Sequence, residues 1–376
     1  MRAIVLSGGG ARGAYQMGVW KALKKLKIKY DIVTGTSIGA LNGMMMVQNN
    51  YYKCLRMWKT IDFNKIYDDF NTDEKMYKEY LDKIISGGID TSKIRKIIND
   101  NYKKEKLYNS KIKFGVVTYN MTEKKTFYAT KANTNPDKLK DYILASATCF
   151  PFFKPTKIGQ DKYIDGGFSD YLPINLALEL NADEIIAVDL EAPGIKQKVK
   201  DENVKITYIQ PSNKLDSFLK FDKICISRMI TLGYNDTMKV FNKLEGKTYT
   251  FKKGTINKIY KKHKNKINNL AKKNKIKIEK IDSLEQMNHI VEQTLSILKI
   301  DITKIYDYIE LKKVLKEEIG KIENIKIDSY SDIKKIFNKA IIVKHIYTKL
   351  ENNDKINSNL FYKELITAIF IRAFTR

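Results

Sequence analysis

The chain is poor in the residues that staple small folds or bind metals. Its 376 residues include three cysteines, Cys54, Cys149 and Cys225, widely spaced and without a CxxC pair. An odd, scattered set of this kind fits neither a disulfide framework nor a cysteine zinc site, and it suits a reducing compartment. Histidine is as scarce. His263, His289 and His345 all lie in a lysine-rich tail, so residues 1–250 hold no imidazole, the usual base for a serine nucleophile. With only six prolines, the chain has no Pro-rich linker. No apolar run approaches the ~18 residues that span a bilayer as a helix. The opening apolar run, residues 3–6, is too short for a signal-peptide core and reads as a strand. The expectation is a cytoplasmic protein, peripheral to a membrane at most.

Acidic residues are also few: 43 Asp and Glu stand against 69 Lys and Arg, for a formal net charge of +26. Such an imbalance favours an anionic partner, whether a phospholipid surface, nucleic acid or an acidic protein. Lys, Asn and Ile are abundant throughout, so ordinary solvated surface is the competing reading. Hydrophobic residues make up 43% of the chain, enough for one large core or two ordinary ones.

What is present begins with residues 31–41, Asp-Ile-Val-Thr-Gly-Thr-Ser-Ile-Gly-Ala-Leu. A short apolar run enters Gly35-Thr36-Ser37-Ile38-Gly39, a G-x-S-x-G pattern, and a helix-compatible stretch follows. This is the form of a nucleophile elbow, a serine on a sharp strand-to-helix turn. Gly35 and Gly39 suit the close backbone approach that such a turn needs. Ser37 then sits at a helix N-terminus, where free N–H groups favour negative charge.

Upstream, residues 3–6 lead into Gly8-Gly9-Gly10-Ala11-Arg12-Gly13, and residues 14–26 carry apolar positions at helical spacing. With a strand at 32–34 and a helix at 38–47, the first fifty residues alternate β and α. That order predicts a three-layer α/β/α fold with a central, mostly parallel sheet. Further strands are expected at 111–119, 126–130, 163–164, 184–190 and 204–209, and helices at 137–147 and 224–244. Residues 52–108 read as mainly helical, with a break at Ser86-Gly87-Gly88. They serve as plain scaffold or frame a substrate channel.

Gly8, Gly10 and Gly13 also satisfy G-x-G-x-x-G between a strand and a helix, the context of a dinucleotide fingerprint. That motif wants an acid at the end of the second strand. Asp31 precedes the strand, and Gly35-Thr36-Ser37 ends it, so the dinucleotide reading fails its second condition. The alternative is an oxyanion loop, in which consecutive glycines aim several N–H groups at one point. Arg12 adds positive charge to that loop or is a surface residue beside it.

With the histidines in the tail, a base for Ser37 is expected among the carboxylates. Asp165 ends a short strand before Gly166-Gly167, where its side chain would sit at the sheet's edge. Asp189 ends another strand and is the weaker alternative. Asp170 reads as the N-cap of a helix starting near Pro173.

Three segments in chain order now carry a resemblance. Gly8-Gly9-Gly10-Ala11-Arg12-Gly13, Gly35-Thr36-Ser37-Ile38-Gly39 and Asp165-Gly166-Gly167 resemble the glycine-rich loop, elbow and D-G-G of the patatin-like phospholipases, bacterial branch. Ala145-Ser146-Ala147 through Pro151-Phe152-Phe153, and Asp170 through Pro173, fit more loosely. The resemblance implies Ser37 as nucleophile, Asp165 as its partner in a dyad, and Gly9, Gly10 and Arg12 in the oxyanion loop. It implies lipid acyl-ester hydrolysis of the phospholipase A or lysophospholipase type, with no cofactor and no metal. A catalytically idle lipid- or protein-binding module on the same fold is the rival from another class.

The resemblance covers roughly residues 1–250, taken as an acyl hydrolase domain. Residues 251–376 are expected to be a lysine-rich helical region with helices at 284–298, 302–319, 333–350 and 360–374. Between Lys252 and Lys280 about a dozen lysines face one acid, Glu279. A solvated face, an anionic membrane contact and a nucleic-acid contact compete for this run. Nucleic acid is the least supported, because Tyr260 is the sole aromatic within it, with Tyr249 and Phe251 just upstream.

Overall fold

The computed structural model describes residues 1–61, 85, 88–276, 279–322, 338–354, 356 and 361–376. Much of the 52–108 expectation, including Ser86 and Gly87, and the starts of the helices expected at 333 and 360 lie outside the described residues. The chain forms two compact units, Met1–Thr237 and Met238–Arg376.

The first unit opens with β1 (Arg2–Leu6), a single 3-10 turn at Gly10–Arg12, α1 (Gly13–Lys25), β2 (Ile32–Thr36) and α2 (Ile38–Val47). Then come α3 (Tyr51–Thr60), α4 (Ser92–Asn101), α5 (Lys104–Asn109), β3 (Lys113–Asn120) and β4 (Lys125–Thr130). The unit continues through α6 (Pro136–Ser146), β5 (Thr156–Ile158), β6 (Asp161–Asp165), α7 (Ile174–Glu179), β7 (Glu184–Val188), β8 (Lys205–Ile209) and α8 (Lys223–Val240). The division between units falls inside α8.

The sheet runs β5-β6-β3-β2-β1-β7-β8, with β4 on the other edge of β3. β3, β2, β1, β7 and β8 are mutually parallel, and β4, β5 and β6 are antiparallel additions. The parallel strands are apolar on both faces because both faces are covered. Ala3, Val5, Ile32, Ile185 and Ala187 pack with Ile174 and Ala177 of α7. The alternate residues Leu6, Val33 and Phe114 point the other way, onto Gly43 of α2. Two layers of helix thus enclose the sheet, as the alternation of elements predicts. α6 starts where Asn135 accepts the Asp137 N–H at 2.9 Å and Pro136 takes the first helical position.

The position of the site follows from the register on β3. β2 pairs along one edge of β3 as far as Thr36 opposite Val117. β4 occupies the opposite edge from Gly115 to Asn120. β6 therefore pairs on the β2 edge, where its last residue, Asp165, stands opposite Thr118. The C-terminal ends of β2 and β6 meet head to head across two consecutive residues of β3.

The second unit contains β9 (Leu244–Glu245), β10 (Thr250–Lys252), α9 (Thr255–Lys273), α10 (Leu284–Ile297), β11 (Ile305–Tyr306), α11 (Tyr308–Lys321), α12 (Lys339–Asn352) and α13 (Tyr362–Thr375). Every residue of α13 from Leu365 to its end is buried, so this helix is the core about which the others pack. α9 is amphipathic: Ile256, Ile259, His263, Ile267 and Ala271 face inward, and most of its lysines face solvent. The one long helix expected at 302–319 is instead the short strand β11 followed by α11. Asp307 stops the strand and caps the helix, accepting the N–H groups of Ile309 and Glu310 at 3.0 and 2.9 Å. No described helix is long and apolar enough to cross a membrane.

Candidate active site

Ser37 is the residue between β2 and α2, with φ 56 and ψ −125. A side chain is seldom held in this left-handed region unless its surroundings enforce it. Enforcement begins at the flanking glycines. A Cβ on Gly35 would lie 2.4 Å from the Gly39 carbonyl carbon, and one on Gly39 would lie 2.3 Å from the Leu6 carbonyl oxygen. Only bare backbone fits the turn. Thr34 and Thr36 brace β2 by donating to the carbonyls of Pro173 and Asp170 at 3.0 and 2.8 Å. The Ser37 N–H donates to Ser146 Oγ at 2.8 Å.

Asp165 is 4% exposed. Burial raises its carboxyl from 3.8 to about 6, against the lowering effect of hydrogen bonds from the Ser37 hydroxyl and the Gly167 N–H. The Gly167 contact to Oδ1 is 2.8 Å. Gly166 lies so close to β3 that a Cβ there would sit 2.4 Å from the Val117 carbonyl oxygen. Ser37 and Asp165 thus stand beside one another at the ends of β2 and β6, and both border the same cavity.

The glycine-rich loop lies beside them. The Gly8 N–H donates to the Tyr171 carbonyl at 3.0 Å, Ala11 to Phe218 at 2.7 Å and Arg12 to Gly9 at 3.0 Å. Among the described residues, the N–H groups of Gly9 and Gly10 have no acceptor, so two backbone donors remain uncommitted at the edge of the cavity. Gly10 has φ +52 and presses against the Phe218 carbonyl, which a Cβ would approach to 2.3 Å. Gly13 opens α1 and packs against Ile38 and Trp58. Arg12 turns to carbonyl groups: Nε donates to Asp216 at 3.0 Å and Nη1 to Glu191 at 2.8 Å. Its guanidinium clamps the neighbouring loops onto the glycine loop.

The other carboxylates are occupied elsewhere. Asp170 does not cap the helix after Pro173. The N-cap of α7 is Pro173 itself, and Asp170 instead accepts the Tyr128 hydroxyl at 3.0 Å. Asp170 closes a 3-10 turn, its N–H donating to the Gly166 carbonyl at 2.8 Å, and the chain bends at Tyr171 and Leu172 before α7 begins. Burial raises Asp189, but hydrogen bonds from Tyr171, the Glu191 N–H and Lys196 bring it below its ordinary value. Tyr171, Glu191 and Lys196 hold the loop after β7. The three histidines lie in the second unit. His263 is buried there between the Ala373 carbonyl and the Tyr308 hydroxyl, at 3.2 and 2.8 Å.

Ser37, Asp165, Gly9 and Gly10 border a cavity of about 570 Å³ within the first unit. Its walls are apolar, with Met44, Met45, Trp58, Ile98, Phe152 and Phe221 among them. Beneath it runs a buried polar chain. Trp58 Nε1 donates to Asn42 Oδ1 at 3.0 Å, Asn42 to Gln16 at 2.8 Å, and Gln16 to the Ser7 carbonyl at 2.9 Å. Sequence reasoning missed Asn42, Ser146 as a partner of Ser37, and the Phe218 carbonyl. Only Ser146 lay in a segment already singled out. Among the described residues no group of three or more His, Cys, Asp or Glu side chains could hold a metal ion.

A half-buried serine beside a buried aspartate, a glycine loop with two uncommitted N–H groups and an apolar cavity stand together on an α/β/α sheet. The family model for patatin-like phospholipase matches residues 4–178, the segment that contains all of these except the distal walls of the cavity. Residues 4–178 are a patatin-like phospholipase domain. The patatin-like phospholipase domain-containing protein 7 of Rattus norvegicus is 28% identical over 192 residues, covering 50% of this chain and 13% of that protein. The neuropathy target esterase sws of Drosophila melanogaster is 27% identical over 194 residues, with the same coverage. The probable lipid hydrolase 463L of Invertebrate iridescent virus 6 is 26% identical over 281 residues, covering 68% of this chain and 91% of that one. The rat and fly relatives are far longer, and the segment matched to this chain spans about an eighth of each.

Proposed function

We propose that the chain is a serine lipid acyl hydrolase, acting on fatty acyl esters of phospholipids or lysophospholipids through a Ser37–Asp165 dyad. The observation that carries this reading is the placement of Ser37 beside the buried Asp165 carboxylate on the wall of one apolar cavity. Asp165 takes the proton as Ser37 Oγ attacks the ester carbonyl. The carbonyl oxygen becomes an oxyanion and receives the N–H groups of Gly9 and Gly10, donors whose loss individually costs about 3–4 kcal/mol in comparable holes. The C–O bond to the alcohol breaks, and the alcohol leaves with the proton from Asp165. An acyl-serine remains, its chain in the cavity. Water then gives a proton to Asp165 and attacks, releasing the fatty acid and restoring Ser37. The cavity volume suits a single acyl chain better than a whole lipid, since pockets of ~300–1,000 Å³ enclose drug-sized ligands.

The acyl hydrolase domain takes in residues 1–250 in this reading, and residues 251–376 are an accessory helical region. The exposed lysines of α9 support an anionic membrane contact through residues 252–280, each contributing about 1 kcal/mol near such a surface. A fluorophosphonate probe tests the chemistry. Labelling is expected for the parent protein and should vanish in Ser37→Ala. Labelling that persists unchanged in Ser37→Ala would refute the nucleophile assignment.

A further inference from the structure

The backbone N–H of Ser37 lies where β2 has run out of partners. Leu6 of β1 stands opposite Gly35, and Val117 of β3 stands opposite Thr36. The next residue of β3, Thr118, is already taken by Asp165. No sheet carbonyl is left for the Ser37 N–H, and a partly enclosed donor needs an acceptor. Ser146 Oγ supplies it at 2.8 Å.

Ser146 is the last residue of α6 and is fully buried. Two residues on, the Thr148 carbonyl accepts the Asp165 N–H at 3.1 Å. The corner itself is tied down: the Ala147 N–H donates to Leu144 at 2.9 Å, and the Thr148 hydroxyl donates to Ala145 at 2.7 Å. One short segment therefore grips the backbone of both members of the pair. We propose that Ser146 is a positioning residue that holds Ser37 in its strained conformation and, with Thr148, sets it against Asp165.

This inference rests on the dyad reading above. Without the Ser146 hydroxyl, the Ser37 N–H would turn toward another acceptor, and the peptide rotation would carry Oγ away from Asp165 and from the substrate carbonyl. A misplacement of about 1 Å can lower a rate about 100-fold.

The test uses the full chain, a soluble p-nitrophenyl ester, fluorophosphonate labelling and calorimetry. Ser146→Ala should lower kcat and the labelling rate about 10- to 100-fold, with KM changed less than about twofold. The acid limb of the pH profile should stay in place, because Asp165 is untouched. Ser146→Thr, which returns a hydroxyl, should recover most of the rate. Leu144→Ala, a buried packing control on the same helix, should lower Tm at least as far while keeping kcat per labelled site. Parental kcat in Ser146→Ala, a Thr variant as slow as the Ala variant, or an equal loss in Leu144→Ala would overturn the proposal. If Ser146→Ala does not fold, Ser146→Cys weakens the acceptor at similar volume and is held to the same outcomes. Turnover surviving in Ser37→Ala would instead overturn the dyad reading. Loss in Ser37→Ala beside parental kcat in Ser146→Ala would overturn only the positioning role.

Discussion

Asp165→Asn should abolish turnover and at the same time make the protein more stable. The carboxyl is buried, and folding raises it from 3.8 to about 6. The folded state therefore binds this proton more tightly than the unfolded chain does. Native stability falls as pH rises between those two values and levels off above about 6. At about 1.4 kcal/mol for each tenfold change in proton affinity, the ionised side chain costs roughly 3 kcal/mol at pH 8. An asparagine can still accept the Gly167 N–H but carries no charge to bury. The variant should gain roughly 3 kcal/mol at pH 8, or about 6–12 °C in Tm for a domain of this size. The gain should shrink to about half at pH 5 and disappear below 4, where the parent carboxyl is protonated in both states. Calorimetry of both proteins at pH 8, 6 and 5 measures it. A variant no more stable than the parent at pH 8, or a gain independent of pH, would show that burial of this charge is not a cost the fold bears.

Two further outcomes follow from the same geometry. Turnover should fall about tenfold per pH unit below about 6, as the Asp165 carboxylate is protonated, and His289→Ala with His345→Ala should leave that limb unchanged in a pH-rate profile. Gly10→Ala should lower kcat by at least about tenfold, because a Cβ at φ +52 lies 2.3 Å from the Phe218 carbonyl and must displace the loop that bears the oxyanion donors; steady-state kinetics with a Tm control measures this.

The first fifty residues were legible because each level agreed. Apolar runs of four to five residues, glycines at the turns and helical spacing after them all specify β-loop-α-β-turn-α, and the structure has those elements within a residue or two. Ser37 and Asp165 were legible as residue types in characteristic local contexts. Their approach was not, because it depends on β6 taking the edge of β3 just where β2 stops, and neither strand's pattern encodes that register. Asp170 misled for a related reason. An aspartate three residues before a proline that starts a helix looks like a cap, but the chain coils through a 3-10 turn at Gly166–Phe168, which binds the Asp170 N–H back to Gly166 and leaves its carboxylate to Tyr128. The strand β11 was hidden inside an amphipathic run, since two residues of sheet leave no periodicity to read. Nothing local announces Ser146 as an acceptor, because its partner is far away in sequence.

The head-to-head meeting of β2 and β6 on β3 makes that strand a ruler. Val117 marks the end of one strand and Thr118 the end of the other, so the spacing of the pair is set by a hydrogen-bond ladder and not by the chain between them. The exposed turns within residues 121–160 can be lengthened, shortened or exchanged without moving either mark, as long as β4, α6 with Ser146, and the Thr148 corner survive. The cavity walls at Cys149, Phe150 and Phe152 can then vary while Ser37 and Asp165 keep their places against β3.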